Sequence, residues 1–216
     1  MNGSDYIGAF ATTTDKYTFV PFGLPDKTRL LIEKTLKTAC ISIPISSTDL
    51  IGLFSRANSN GIAISDIASE DDVRRIRDLN LGINVEIIKS NINALGNAIL
   101  ANDRIAIIDP EYTEIESKQI QDVLGVEVIR AEIGGFKTVG ATNILTNVGC
   151  AMNNHGTDKE KSELDKMTGF DCTRTTANKG SLSIGLASIA NTNGLLVGDE
   201  TTGFEMNRII EALGGD

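Results

Sequence analysis

Histidine is nearly absent from this chain of 216 residues, which carries one, His155, beside three cysteines, Cys40, Cys150 and Cys172. His155 stands among Asn153, Asn154 and Gly156 and reads as an ordinary loop histidine, with acid–base or metal work as the alternative. The cysteines are odd in number, lack metal-ligand spacing and fall in or at the start of strand-like segments, so buried reduced thiols are expected. No apolar run approaches the roughly 18 residues of a membrane span, and no basic segment leads into an apolar one at the start, so a cytoplasmic protein is expected. A phosphate loop ending in Lys, a nucleophile elbow and a His-Glu-x-x-His string are all missing, which leaves no self-contained active site and no cofactor to expect. Positive charge is scarce: 20 Lys and Arg face 29 Asp and Glu, for a net charge of −9. That argues against a phosphate backbone as the principal contact. Arg74, Arg75 and Arg77 cluster among acids and read as a solvated mixed-charge helix face. With 41% hydrophobic residues the chain can bury a core without staples, as one domain over 1–216.

What is present is a period. Gly8, Gly52, Gly96, Gly140 and Gly185 each follow a branched apolar residue, at intervals of 44, 44, 44 and 45. Capping boxes keep the same beat: Ser69 with Asp72, Thr113 with Glu116, Thr157 with Glu160 and Thr202 with Glu205. In each the hydroxyl serves a first-turn N–H and the acid reaches back to the cap. Pro25 and Asp26 take that place in the first unit and can start a helix at Asp26 or Lys27. Apolar residues at helical spacing follow: Leu30, Leu31 and Leu36; Val73, Ile76 and Leu79; Ile120, Val123 and Leu124; Leu164 and Met167; Met206, Ile209, Ile210 and Leu213. Gly82, Gly125, Gly169 and Gly214 fit left-handed helix ends, with Thr38 in that slot of the first unit. Strand-like runs close the first four units at 39–45, 83–89, 126–132 and 170–176. Each unit therefore reads strand, turn, strand, helix, strand. Asn60-Gly61, Asn193-Gly194 and Val148-Gly149 place glycine where a tight reversal calls for positive φ, and Asp103-Arg104 serves the third unit one residue shorter.

Five such units, at about 7–47, 48–91, 92–135, 136–180 and 181–216, cannot bury their apolar faces singly. An open array would need polar end units. The first and last units keep the apolar residue before the glycine, Ile7 and Ile184, which favours a closed five-bladed α/β propeller. A propeller made only of strands does not fit, because each unit carries a helix.

Several strings in order resemble the translation initiation factor 6 family over nearly the whole chain: Ile7-Gly8, VEIIKS at 85–90, ALGN at 94–97, VEV at 126–128, TVG at 138–140, ANKG at 177–180 and GDETTGFE at 198–205. The resemblance implies a closed ring of the pentein type with pseudo-five-fold symmetry. It also implies binding to the large ribosomal subunit where the small subunit docks, so that premature joining is blocked, with a role in large-subunit maturation. The contact implied is chiefly a ribosomal protein near the sarcin–ricin loop, with limited direct rRNA contact, and an acidic ring suits a basic protein. Family contacts flank the repeat glycines, which points to Asn97 first and then to Leu50, Leu53, Thr138, Thr142 and Ser183. For Asn97 the competing role is a polar residue pairing with backbone at a strand start, and for the glycines it is close approach of neighbouring units near the axis.

Two departures stand out. Only MNGSDY precedes Ile7, Asn2, Gly3, Ser4 and Asp5 are poor strand residues, and the fifth unit ends at Gly214, Gly215 and Asp216. Its last strand is missing at both ends, from a start assigned late or trimmed or from a weakly closed ring, and an open sheet edge is expected there. No long tail follows the last helix, as in the archaeal form. The alternatives are a guanidine-modifying pentein enzyme, which needs a cysteine thiolate within reach of His155, and a ring-shaped adaptor for another protein. A monomer is expected.

Overall fold

The computed structural model describes residues 1 and 3–215; Asn2 and Asp216, expected outside any strand, lie outside the described residues. Four sheets share one plan. β1 (Thr12–Thr13), β2 (Tyr17–Val20) and β3 (Ala39–Ser42) form the first, with β1 antiparallel and β3 parallel to β2. β4 (Ser55–Ala57), β5 (Gly61–Ser65) and β6 (Asn84–Ile88) repeat it. So do β7 (Ile99–Ala101), β8 (Ile105–Ile108) and β9 (Glu127–Arg130), then β10 (Ile144–Leu145), β11 (Cys150–Asn153) and β12 (Thr173–Thr175). The fifth sheet holds only the antiparallel pair β13 (Ser188–Asn191) and β14 (Gly194–Val197) among the described residues. Among the described residues the strand edge that carries a parallel neighbour in the other four sheets has none here, which agrees with the open edge expected.

Helices cross between the second and third strands: α1 (Asp26–Leu36), α3 (Glu70–Arg77), α5 (Glu114–Leu124) and α7 (Asp158–Thr168), while α8 (Gly203–Ala212) follows β14. All four capping boxes form, hydroxyl to backbone and acid to backbone alike. The acids also reach outside their helices. Asp72 accepts from Ser46 N, Glu160 from Gly134 N and Glu205 from Gly180 N, each donor lying in the loop that leaves the preceding sheet. Helix faces are partly as expected. Val73, Ile76, Ile120, Val123, Leu124, Leu164 and Ile209 are buried, at roughly 1.5–3 kcal/mol per large side chain. In α1 the inner stripe is Ile32 and Leu36, one turn apart, whereas Leu30 and Leu31 are 64% and 54% exposed. Leu30 stands about 200° around the helix from Ile32 and cannot share its face.

Other expectations need correction. Gly125 and Gly169 are left-handed caps, but Lys37, not Thr38, takes that conformation after α1. α3 is capped by Asp78 in a right-handed conformation, and Gly82 lies beyond it, left-handed like Asn80. Gly214 follows a cap at Leu213. Gly61, Gly149 and Gly194 are not left-handed at all. A Cβ there would overlap the carbonyl oxygens of Val123, Ala212 and Thr35, each from the helix of an adjoining unit. The reversals are held instead by side chains: Asn58 Oδ1 accepts from Asn60 N and Gly61 N, and Asn191 Oδ1 from Asn193 N and Gly194 N.

Candidate functional site

The repeat glycines do not open the strands directly. Gly52, Gly96 and Gly140 lie in one-turn helices, α2 (Ile51–Phe54), α4 (Leu95–Ala98) and α6 (Val139–Thr142), while Gly8 lies in a 3-10 turn (Ile7–Ala9) and Gly185 in a turn ahead of β13. None of the five has positive φ. Close approach is what demands glycine. A Cβ on Gly52 would overlap the Gly8 carbonyl oxygen, one on Gly96 that of Gly52, one on Gly140 that of Gly96 and one on Gly185 that of Gly140. The series returns to its start, because a Cβ on Gly8 would overlap the Gly185 oxygen and Gly8 N donates to Leu186 O at 2.8 Å.

Around these turns the candidate residues fall at matching positions. Leu50 and Thr138 are the residues before α2 and α6, and Ser183 precedes the fifth turn. Leu53 and Asn97 each follow the repeat glycine directly. Leu50, Leu53, Asn97 and Ser183 are half-buried and Thr138 is exposed. Asn97 sits inside α4 rather than at a strand start, and its Oδ1 is enclosed without a partner. Thr142 differs: it is 3% exposed, and its hydroxyl donates to Thr138 O at 3.1 Å and accepts from Asn143 Nδ2 at 3.0 Å. It is part of the interior. The same offsets, applied to all five glycines, also bring in exposed Tyr6 and half-buried Leu186, which the sequence reasoning missed.

At the far ends of the first strands a second set of period-mates meets. Asn58 Nδ2 donates to Asn102 O at 3.0 Å and Leu124 O at 2.8 Å, Asn102 Nδ2 to Thr146 O at 2.9 Å, and Asn191 Nδ2 to Thr14 O at 3.0 Å and Leu36 O at 2.9 Å. These bonds join the second sheet to the third, the third to the fourth and the fifth to the first.

The candidates for catalysis lie in different surroundings. His155 is exposed, its ring 5.7 Å from that of Phe136. All three thiols are buried. Burial, helped by the Glu33 carboxylate, pushes Cys40 up to about 11, and a hydrogen bond with Cys172 together with burial raises Cys150. Both shifts favour the unreactive thiol. Among the described residues no group of three His, Cys, Asp or Glu is placed to hold a metal ion, and no helix is long and apolar enough to cross a membrane. Arg74 and Arg75 pair with Asp71, and Arg77 with Glu86, so the arginine cluster is locally balanced.

Three comparisons bear on this arrangement. A dimethylarginine dimethylaminohydrolase (DDAH) from Pseudomonas aeruginosa, a C249S mutant solved with citrulline, superposes with a TM-score of 0.53 at 13% identity, covering 88% of this chain and 77% of that one. That likeness concerns the fold alone: an α/β architecture with a pentein-like neighbour. Translation initiation factor 6 of Saccharolobus islandicus is 39% identical over 213 residues, 98% of this chain and 96% of that protein. The factor of the same name from Picrophilus torridus is 37% identical over 211 residues, 97% and 95% of the two chains. The eIF-6 family model matches residues 1–212, and this chain belongs to the eIF-6 family.

Proposed function

We propose that this protein binds the large ribosomal subunit on its intersubunit face and sterically keeps the small subunit from joining, with a further part in large-subunit maturation. The observation that carries the reading is membership of a family of translation initiation factors along nearly the whole chain. The proposed architecture is a closed five-bladed pentein ring acting as a monomer in the cytoplasm. Sheet-to-sheet contacts that return from the fifth unit to the first support it. The proposed docking face is the rim of repeat turns bearing Asn97, Leu50, Leu53, Thr138 and Ser183, with Tyr6 and Leu186 added. Its half-buried leucines supply apolar area. The partner chemistry is a basic ribosomal protein near the sarcin–ricin loop, matched to the net charge of −9, with little direct rRNA contact. Raised thiols and an exposed His155 give no support to a guanidine-modifying reaction.

Co-sedimentation with isolated large subunits, followed by a subunit-joining assay, tests the reading. Asn97→Arg places a long cation on the rim and is expected to weaken binding at least tenfold and restore joining, with the thermal transition unchanged. Failure of the wild type to co-sediment would remove the ribosomal reading and leave an adaptor for a different protein.

A further inference from the structure

Behind the repeat turns, the first strands of all five sheets enclose a cavity of about 60 Å3. Five period-mates line it: Thr12, Arg56, Leu100, Ile144 and Ile189. Three are aliphatic and two bring hydrogen-bond donors. Arg56 Nη2 donates to Gly96 O at 2.6 Å and to Gly140 O at 3.5 Å, both of them neutral acceptors. Among the described residues no carboxylate pairs with this guanidinium. Its Nε is enclosed and without a partner, and so is the hydroxyl of Thr12, which is 3% exposed and occupies the equivalent place on the neighbouring sheet.

A charge taken out of water without a counter-charge is costly, and an unused buried donor adds to the cost. Burial also pulls the Arg56 guanidinium down to about 10, as expected where the charged form is disfavoured. Both unused groups can donate, so the occupant that completes them is an acceptor with negative charge. Space sets its size. A single water needs about 10–15 Å3 of such volume, so the cavity has room for about four to six waters, which admits a monatomic anion with a few waters and excludes nucleotides, sugars and peptides.

We propose that a halide-sized anion, chloride, occupies this cavity, held by Arg56 Nε and the Thr12 hydroxyl, and supplies the counter-charge that the chain itself does not. The role is structural and separate from any partner bound on the rim.

Crystals grown in bromide in place of chloride test the site directly, since bromide can be located by anomalous scattering. The expected result is one peak in the cavity within hydrogen-bonding reach of Arg56 Nε, lost in Arg56→Leu. In parallel, thermal unfolding is followed in chloride and in gluconate, an organic anion too large to enter, at matched ionic strength. Chloride at about ten times its Kd is expected to raise the wild-type Tm by about 3–6 °C relative to gluconate, with no such difference in Arg56→Leu. Should Arg56→Leu not fold, Thr12→Val provides the same readout with a reduced chloride response. Water alone in the cavity would overturn the assignment. So would a bromide peak with an equal chloride response in wild type and variant, which would mean an adventitious ion only.

Discussion

Replacing Asn58 with Asp changes two hydrogens and a nitrogen into one oxygen, yet it is expected to cost about 3–5 kcal/mol. Asn58 is 2% exposed and uses its whole amide. Its Oδ1 holds the reversal through Asn60 N and Gly61 N, both at 3.0 Å, and an aspartate keeps those bonds. Its Nδ2 joins two neighbouring segments through Asn102 O and Leu124 O, and both bonds are lost. Leu124 O retains the Asn60 amide at 3.0 Å, so one carbonyl is fully orphaned and one keeps a donor. At about 1–3 kcal/mol for the orphaned group, most of the remainder comes from a carboxylate facing two carbonyl oxygens in a buried place. Asn102→Asp is the internal control: its amide makes one such donation, to Thr146 O, so its expected cost is about half. Burial opposite two carbonyl oxygens raises the folded-state pKa of the new carboxyl, and protonation restores one donor, so the deficit should shrink as pH falls through that raised value toward the ordinary Asp value of about 4. Urea unfolding followed by far-UV circular dichroism at pH 7 and pH 4 measures all of this. A loss below about 0.5 kcal/mol for Asn58→Asp would show that the side-chain chain between sheets contributes nothing, and the reasoning would fail.

Three further outcomes follow from the same contacts. Gly96→Ala should destabilise by at least 3 kcal/mol, because its Cβ would overlap the Gly52 carbonyl and backbone cannot yield as a side chain does. Gly203→Ala, in open space on α8, should stabilise by about 0.4–1 kcal/mol, and thermal melts that ranked the two alike would contradict the close-approach account. Glu205 would be raised by burial alone, but hydrogen bonds from Thr202, Thr176 and Gly180 outweigh that and hold it at about 2, against an ordinary 4.5. A carboxylate depressed in the folded state stabilises above its unfolded pKa and loses that contribution as pH falls through the folded one, here between about 4.5 and 2. At neutral pH the contribution is at most about 3 kcal/mol, so Glu205→Gln should lower stability there and flatten the acid limb of the pH profile; an unchanged limb would refute the assignment. Ile32→Ala should cost about 2–4 kcal/mol while Leu30→Lys stays within about 0.5 kcal/mol; chemical denaturation of the pair would expose any error in the α1 face.

How much was legible depended on how local the cause was. A capping box spans four residues, and all four were visible and formed. Their second partners, Ser46, Gly134 and Gly180, lie 25 or 26 residues away, and nothing around Asp72, Glu160 or Glu205 announces them. Gly61 and Gly194 show the reverse error: Asn-Gly suggested a glycine turn, but the asparagine two residues earlier, Asn58 or Asn191, makes the turn, and the glycine clears a neighbouring helix. On the rim, equal offsets from the repeat glycines located Leu50, Leu53, Asn97, Thr138 and Ser183 in matching turns, while Thr142 was lost to the interior because it closes its short helix.

By itself the sequence determined the glycine and capping-box landmarks at intervals of 44 and 45 residues, the strand–helix order of the first four sheets, the helix starts and the family, since each rests on short-range spacing or on strings read in order. The tertiary structure decided which face of α1 is buried, why the repeat glycines must lack a Cβ, and that Arg56 and Thr12 share one cavity. Those are matters of distance between segments 44 or more residues apart, set when sheets pack against one another, and chain-local chemistry carries no record of them.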